Sequence, residues 1–321
     1  MTKTARRGVA LTPMETRADV VLRTAQLADE LGYEVFSLAE GWGLDASAML
    51  ARLASQTRRI TLLAGVLSIW GRTPGTIAMT AATLHGLSGG RFILGLGAST
   101  PQLVEGFHGV GYGATARHLR DVTGMVRSLL AGEPARAYGG SRPIRLGQAA
   151  APDLPIWLAA AGDRTVRVAA ELADGWMPIY LRREQYKVRL EELAAVRATA
   201  GLRADPLTLA AGPFTVADDD PAVAKEAVAA CTARYLTAMG EVYPRQVAAQ
   251  GLAAEVDQVR ANRAVTAGAE ARLDEFTAHG TPTGIADQLA AWDQTVDITM
   301  VGIPPGLPWS TIETTLVAAA P

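Results

Sequence analysis

Glu40 is the carboxylate whose place in the sequence best suits proton chemistry. It follows a predicted strand at residues 33–39 and stands two positions before Trp42. A carboxyl group beside an apolar ring can have its pKa raised towards neutrality, and it can then donate or accept a proton. A structural role fits the same position, because Glu40 could cap a helix or pair with an arginine such as Arg72. The sequence leaves both interpretations open.

A glycine-rich segment at residues 95–100 (GLGAST) indicates a second kind of chemistry. It lacks the third glycine of a dinucleotide-binding loop, and no acidic residue stands at the required distance after a second strand. The sequence therefore disfavours a Rossmann-type nucleotide site here. Because Gly97 and Ala98 have no bulky side chain, we expect them to let a flat ring approach the backbone.

Residues 160–165 (AAGDRT) join a predicted strand to the N-terminus of a predicted helix. Free amide groups and the positive end of the helix dipole make such a turn a suitable anion site. Arg164 and Thr165 favour a phosphate there, whereas the negative charge of Asp163 opposes one. The alternative is a plain tight turn in which Asp163 is the N-cap of the helix.

Other kinds of catalytic centre are disfavoured. The four histidines show no metal-ligand spacing, and neither a nucleophile elbow nor a P-loop occurs. We therefore predict no metal and expect a borrowed organic cofactor. The 30 basic and 32 acidic residues nearly cancel, so neither nucleic acid nor a membrane surface is an expected partner.

The expected location is the cytoplasm. Cys231 is the single cysteine and cannot form an internal disulfide, which fits a reducing compartment. No apolar run approaches the ~20 residues that span a bilayer. Arg6 and Arg7 could begin a twin-arginine signal, but the segment after them (GVALTP) is too short for its apolar region.

Strands and helices must alternate about eight times to position these residues. The predicted strands are residues 9–11, 33–39, 60–66, 91–96, 155–160, 175–180, 206–216 and 298–303. This alternation is typical of the α/β class and predicts a (β/α)₈ TIM barrel. Three further helices, at residues 222–239, 244–250 and 252–267, form a helical insertion between strands 7 and 8. We interpret residues 1–321 as one domain, with its chemistry at the carboxyl ends of the strands.

Several segments resemble the luciferase-like flavin and deazaflavin oxidoreductases. They are residues 61–66 (TLLAGV), 72–74 (RTP), 78–84 (AMTAATL), 87–92 (LSGGRF), 94–99 (LGLGAS), 105–109 (EGFHG), 155–160 (PIWLAA) and 170–176 (AELADGW). The likeness covers nearly the whole chain and is most specific from residue 72 to residue 99. The acid in residues 38–42 (LAEGW) and residues 235–240 (YLTAMG) favour the branch that uses coenzyme F420, the methylenetetrahydromethanopterin reductase-like proteins.

The resemblance implies a deazaflavin that lies across the strand ends, backed by a strained bulge at Gly65–Val66 that often contains a cis peptide bond. The expected cofactor-binding residues are Gly65, Val66, Leu67, Gly97, Ala98, Ser99, Ala160, Ala161, Gly162, Asp163 and Thr165. Trp42, Trp70 and His108 are expected to line the substrate pocket. Asp163 departs from the glycine often found in the phosphate turn of this family, which weakens the expectation of that contact.

The leading hypothesis is an oxidoreductase that moves a hydride between C5 of coenzyme F420 and a small organic substrate, with Glu40 as the proton-handling residue. One alternative is an FMN-dependent monooxygenase of the same fold. Another is a barrel without a cofactor that only binds a partner. A homodimer is also expected, because the helices at residues 46–54 and 76–84 are apolar beyond one face and relatives commonly pair there.

Overall fold

Eight parallel strands close into a barrel in the computed structural model, which describes residues 5–136, 142–199, 201 and 206–321. The barrel strands are β1–β7 and β10, and two further strands, β8 and β9, lie beside the barrel. In chain order the strands are β1 Arg7–Leu11, β2 Val35–Leu38, β3 Thr61–Ser68, β4 Phe92–Gly97, β5 Ile156–Ala159, β6 Gly175–Trp176, β7 Thr208–Ala211, β8 Phe214–Ala217, β9 Thr277–Gly280 and β10 Ile298–Ile303. The barrel closes because β10 pairs with both β7 and β1. The predicted (β/α)₈ architecture is confirmed.

The helices surround the barrel and cover its outer face. They are α1 Ala18–Leu31, α2 Ala46–Gln56, α3 Pro74–Leu87, α4 Thr115–Leu130, α5 Asp163–Leu172, α6 Arg183–Thr199, α7 Pro221–Ala238, α8 Val242–Val247, α9 Ala253–Asn262, α10 Ala267–Leu273, α11 Pro282–Asp293 and α12 Trp309–Ala318. β4 and β10 are buried along their whole lengths, because a parallel strand in a barrel is covered on both faces.

The interior of the barrel is packed near the amino ends of the strands. A separate cluster of buried apolar residues lies there, consisting of Val35, Leu63, Ile93, Trp157, Ala210, Ile298 and Met300. Their neighbours along the strands point outwards to the helices, as the two-residue period of a strand requires. This filled end leaves the carboxyl ends of the strands as the place for a ligand.

The amino ends of the strands also carry charged groups that stabilise the fold. Arg7 is buried and pairs with Asp293 at 2.7 Å, and Arg6 pairs with Glu34. The twin arginines therefore serve the closure of the barrel. Asp29 accepts hydrogen bonds from the backbone amides of residues 58–60, which fixes the turn before β3.

The predicted seventh strand is wrong in its detail, because residues 206–216 form two strands rather than one. The break lies at Gly212, where a Cβ atom would overlap the Met300 carbonyl, and at Pro213, which has no amide hydrogen to donate. β8 leaves the barrel and carries β9 on its other edge. β9, α12 and a π-helical turn at Gln102–Phe107 have no counterpart among the predicted elements.

The helical insertion predicted between the last two barrel strands is confirmed as α7–α10. Its α7–α8 turn lies over the carboxyl end of β4, because a Cβ at Gly240 would stand only 3.0 Å from the Thr100 methyl group. Gly240 also has a φ of +82°, so both the close approach and the backbone conformation require glycine.

Among the helices in the described ranges, none is long and apolar enough to cross a membrane.

Candidate active site

The third strand carries a bulge at its carboxyl end. The register between β3 and β4 shifts between Ala64 and Leu67, and the peptide bond between Gly65 and Val66 is cis. The expectation of a bulge with a cis peptide at this position is confirmed. A Cβ at Gly65 would overlap the hydroxyl of buried Ser37, so β2 packs directly against the bulge. Leu67, the next predicted contact, is fully buried.

The glycines of β4 leave room for this bulge. A Cβ at Gly95 would overlap the Ala64 carbonyl, and a Cβ at Gly97 would lie 2.6 Å from Cγ2 of Val66. The space on the Cβ side of Gly97 is therefore taken by Val66, so the absence of a side chain at Gly97 makes room for the bulge. Ala98 and Ser99 follow and are partly exposed at the strand end. Ser99 has a φ of +57°, an uncommon conformation for a residue with a side chain.

Glu40 lies in a charged pair instead of an apolar pocket. Its two carboxylate oxygens accept hydrogen bonds from the Arg72 guanidinium, one of them over 2.9 Å. Its Oε2 also accepts from the Ala46 amide at the start of α2, over 3.3 Å. Both structural alternatives, helix cap and arginine partner, are thus observed. Only 11% of the Glu40 side chain is exposed, whereas Trp42 is 46% exposed.

The Glu40–Arg72 pair is tied to the strand ends. The Glu40 amide donates to the Val66 carbonyl over 3.4 Å, which joins the carboxylate to the bulge. Arg72 also donates to Asp45 over 3.1 Å. Burial lowers the pKa of Arg72, but its hydrogen bonds to Glu40 and Asp45 outweigh that effect and raise it above its ordinary value. The guanidinium is therefore a permanent positive partner for Glu40.

An aromatic wall follows β3. Trp70 stacks on His118 with ring centroids 3.9 Å apart, and Tyr112 lies 5.5 Å from Trp70. The His108 ring packs on the bare backbone of Gly71, where a Cβ would stand 3.2 Å from its Cε1. His108 therefore lies against the residue that follows Trp70, and both were predicted for the substrate pocket. His118 and Tyr112 were missed, because nothing in their spacing links them to Trp70.

Several buried polar atoms at the strand ends have no hydrogen-bond partner among the described residues. They include the Thr12 hydroxyl after β1 and the Trp70 indole nitrogen after β3, whereas the Tyr180 hydroxyl after β6 interacts with the Thr232 hydroxyl. Burial, first of all, raises the pKa of Tyr180 well above its usual value. A buried polar group without a partner is uncommon in a folded protein, so Thr12 and Trp70 at the strand ends are candidates for contact with a ligand.

Two helix N-termini open on one cleft beside these strand ends. The cleft has a volume of about 740 Å³ and is lined by residues 114–117 at the start of α4 and 162–165 at the start of α5. Neither helix has a side-chain cap, so their first amides are available to an anion. A Cβ at Gly162 would meet no atom within 4 Å, so the backbone is open to a ligand there.

The remaining predicted residues of this turn have defined roles. The Ala160 carbonyl accepts from the Trp176 indole over 2.9 Å, which anchors the turn, and Ala161 is partly exposed. The Thr165 hydroxyl donates to the Gly162 carbonyl over 2.8 Å. Gly162, not Asp163, is the N-cap of α5. The Asp163 side chain instead pairs with Arg189 of α6 at 2.9 Å.

Metal chemistry finds no support in the described ranges, where no three His, Cys, Asp or Glu side chains are grouped to hold an ion. Cys231 is buried, and burial raises the pKa of its thiol to about 12, so it is not a nucleophile at neutral pH. The charged and aromatic groups at the strand ends are therefore the candidate chemistry.

The model of the luciferase-like monooxygenases matches residues 2–297. The chain belongs to this family. A coenzyme F420-dependent oxidoreductase of Mycobacterium tuberculosis is 31% identical, with 92% of each chain covered. The 5,10-methylenetetrahydromethanopterin reductase of Archaeoglobus fulgidus is 26% identical, with 82% of this chain and 83% of the relative covered. The solved structure of the coenzyme F420-dependent tetrahydromethanopterin reductase of Methanopyrus kandleri matches with a TM-score of 0.77 at 20% identity, covering 99% of this chain and 98% of that one.

The likeness to the Methanopyrus structure at this identity establishes the fold alone, so the choice of cofactor does not follow from it. That choice depends on the sequence relatives and on what the residues of this chain can hold.

Proposed function

We propose that the protein is a coenzyme F420-dependent oxidoreductase that transfers a hydride between the deazaflavin and a small organic substrate. The structural observation that supports it is the cleft formed by the open N-termini of α4 and α5 beside the strand ends. A cofactor with an anionic side chain and a flat ring fits such a place. The choice of deazaflavin rests on the F420-dependent relative that matches 92% of this chain.

The residues at the strand ends suit the two parts of such a cofactor. Gly65 and Val66 would back the ring, with Ala98 and Ser99 at its edge, whereas fully buried Leu67 supports the bulge from below. The amides of the turn at residues 160–165 would bind the phosphate, because a helix N-terminus carries free donors and a partial positive charge. When bound, the deazaflavin supplies the hydride-carrying carbon, C5.

Glu40 is proposed as the group that handles the proton. Paired with Arg72, it is a carboxylate that can accept a proton from a substrate hydroxyl, and it returns the proton in the reverse direction. Arg72 fixes the orientation of the Glu40 carboxylate, and the hydrogen bond from the Glu40 amide to the Val66 carbonyl holds the Glu40 backbone. Trp42, Trp70 and His108 would form the walls that position a small molecule beside it.

Titration of the apoprotein with coenzyme F420, followed by the quenching of deazaflavin fluorescence, tests the proposal. We expect saturable binding at one site per chain. The second candidate is an FMN-dependent monooxygenase, which the family description supports. If FMN binds tightly and the reduced FMN complex consumes oxygen while F420 does not bind, the monooxygenase replaces our proposal. Binding of neither cofactor would favour a barrel with a purely binding role.

The location and assembly are further parts of the proposal. A cytoplasmic location suits the buried thiol of Cys231. A homodimer suits α3, which contains no Asp, Glu, Lys or Arg in 14 residues. Its outward face carries Met79 and Leu87, both more than half exposed, and a helix that is apolar all round is normally covered on both sides.

A further inference from the structure

Asp163 places a negative charge where the proposed cofactor needs a positive environment. It is the first residue of α5, directly after the open N-cap Gly162, and it lines the cleft between α4 and α5. A carboxylate at this position occupies the positive end of the helix dipole and repels a phosphate. A phosphate site in this turn therefore requires that the charge of Asp163 be compensated.

Arg189 supplies this compensation from the neighbouring helix. Its Nη1 lies 2.9 Å from Oδ1 of Asp163 and 2.9 Å from Oε2 of Glu192, one turn further along α6. About one third of the Arg189 side chain is exposed, compared with 84% of Asp163. The guanidinium is thus anchored on α6, and it holds a carboxylate that would otherwise be free to turn into the cleft.

The charges that face the cleft show the effect of this pair. Arg117 at the start of α4 and Arg164 at the start of α5 both line it. Arg117 lies 3.7 Å from Asp121, a loose surface contact, and its side chain is 84% exposed. With the Asp163 carboxylate held by Arg189 of α6, the positive groups that line the cleft are Arg117, Arg164 and the two helix N-termini.

We propose that Arg189 is a positioning residue for the cofactor: by holding the Asp163 carboxylate against α6 and offsetting part of its charge, it lets the open turn after β5 accept the phosphate of the cofactor side chain. The inference rests on the proposed function, in which an anionic cofactor occupies this cleft. It explains how a chain with aspartate at this turn keeps an anion site. It also predicts that the need for Arg189 disappears when Asp163 is uncharged.

A double-mutant cycle tests this interdependence. The dissociation constant of coenzyme F420 is measured by fluorescence at low salt for the wild type, Arg189→Gln, Asp163→Asn and the double variant. We expect Arg189→Gln to weaken binding about fivefold, the upper range for an exposed ion pair, and the double variant to return within about twofold of the wild type. At about 1 M salt the deficit of Arg189→Gln shrinks, because the repulsion is screened.

Arg167→Gln is the matched control. Arg167 pairs with Glu171 further along α5 and does not line the cleft, so its loss removes an ion pair of the same type. We expect its F420 affinity to equal that of the wild type. If Arg189→Gln behaves like this control, or if the double variant stays as weak as Arg189→Gln, the inference is overturned and Arg189 is only structural.

Failure of the proposed cofactor can be distinguished from failure of the proposed role of Arg189. If the wild type binds FMN but not F420, the proposed function fails, and the same cycle measured with FMN decides the role of Arg189 because FMN also carries a phosphate. If the wild type binds neither cofactor, both proposals are overturned. Thermal unfolding of each variant confirms that a weaker complex does not reflect a loss of fold.

Discussion

Gly97→Ala is the substitution that best tests how the bulge of β3 is built. A Cβ at Gly97 would lie 2.6 Å from Cγ2 of Val66, whereas ordinary van der Waals contact begins at 3.4 Å. The new methyl group is therefore about 0.8 Å too close to a side chain that is held by the bulge. Either Val66 or the end of β4 must move.

The expected cost follows from this overlap. Overpacking by one methyl group typically costs about 1–3 kcal/mol, and the smaller entropy of the unfolded alanine chain offsets about 0.4–1 kcal/mol of it. We therefore expect the free energy of unfolding to fall by about 1–2 kcal/mol. Val66→Ala removes the clashing methyl group, so in that background Gly97→Ala should cost less than about 0.5 kcal/mol. The coupling energy between the two sites is then about 1 kcal/mol.

Urea denaturation of the four proteins measures this cycle, and Gly124→Ala is the control. A Cβ at Gly124 would meet no atom within 4 Å, and the residue lies inside α4, where alanine is the better helix former. Gly124→Ala should leave stability unchanged or raise it by up to about 1 kcal/mol. An equal cost of Gly97→Ala with and without Val66→Ala would refute the reasoning, because the loss would then not arise from their contact.

Three further predictions concern charge and assembly. Glu40→Gln should slow single-turnover hydride transfer about 10²–10⁴-fold, while the F420 dissociation constant barely changes. The rate is measured by deazaflavin absorbance with an alcohol found by screening. Loss of F420 binding with an unchanged rate per bound cofactor would make Glu40 a structural residue. Burial would raise the pKa of Glu15, but hydrogen bonds from Arg17 and Gly306 lower it below its ordinary value of 4.5. The stabilisation by the Glu15 carboxylate is thus present above pH 4.5 and is lost as the pH falls through the folded pKa. In urea denaturation, Glu15→Gln should therefore lower the free energy of unfolding by about 1–3 kcal/mol at pH 7 and by much less near pH 3. A difference that does not depend on pH would contradict this. Met79→Glu should convert a dimer to a monomer in light scattering at micromolar concentration, while Val317→Glu on exposed α12 should not; a monomeric wild type would reject the interface.

The barrel could be predicted from the sequence because its strands are short apolar runs between amphipathic helices. β9 could not, since residues 277–280 (TAHG) are only four positions with no alternation of apolar and polar residues. They become a strand by pairing with β8. The break at Gly212 likewise depends on the Met300 carbonyl, which lies far along the chain. Long-range packing, not local propensity, decided both cases.

The candidate site shows the same division between local and distant signals. The bulge at Gly65 was predicted from the family resemblance, and the turn at Gly162 was predicted from contiguous residues between a strand and a helix. The role of Glu40 was left open between proton chemistry and a structural contact. Only the fold shows that its side chain pairs with Arg72. The pairing of Asp163 with Arg189, 26 residues apart, had no local signal at all.

Titration of the purified apoprotein with coenzyme F420 and, in parallel, with FMN tests the central claim most directly. We expect F420 fluorescence to be quenched to saturation at one cofactor per chain. We also expect inorganic phosphate to compete weakly through the turn after β5, and FMN to bind less tightly. Tight FMN binding with no saturable F420 quenching would contradict it.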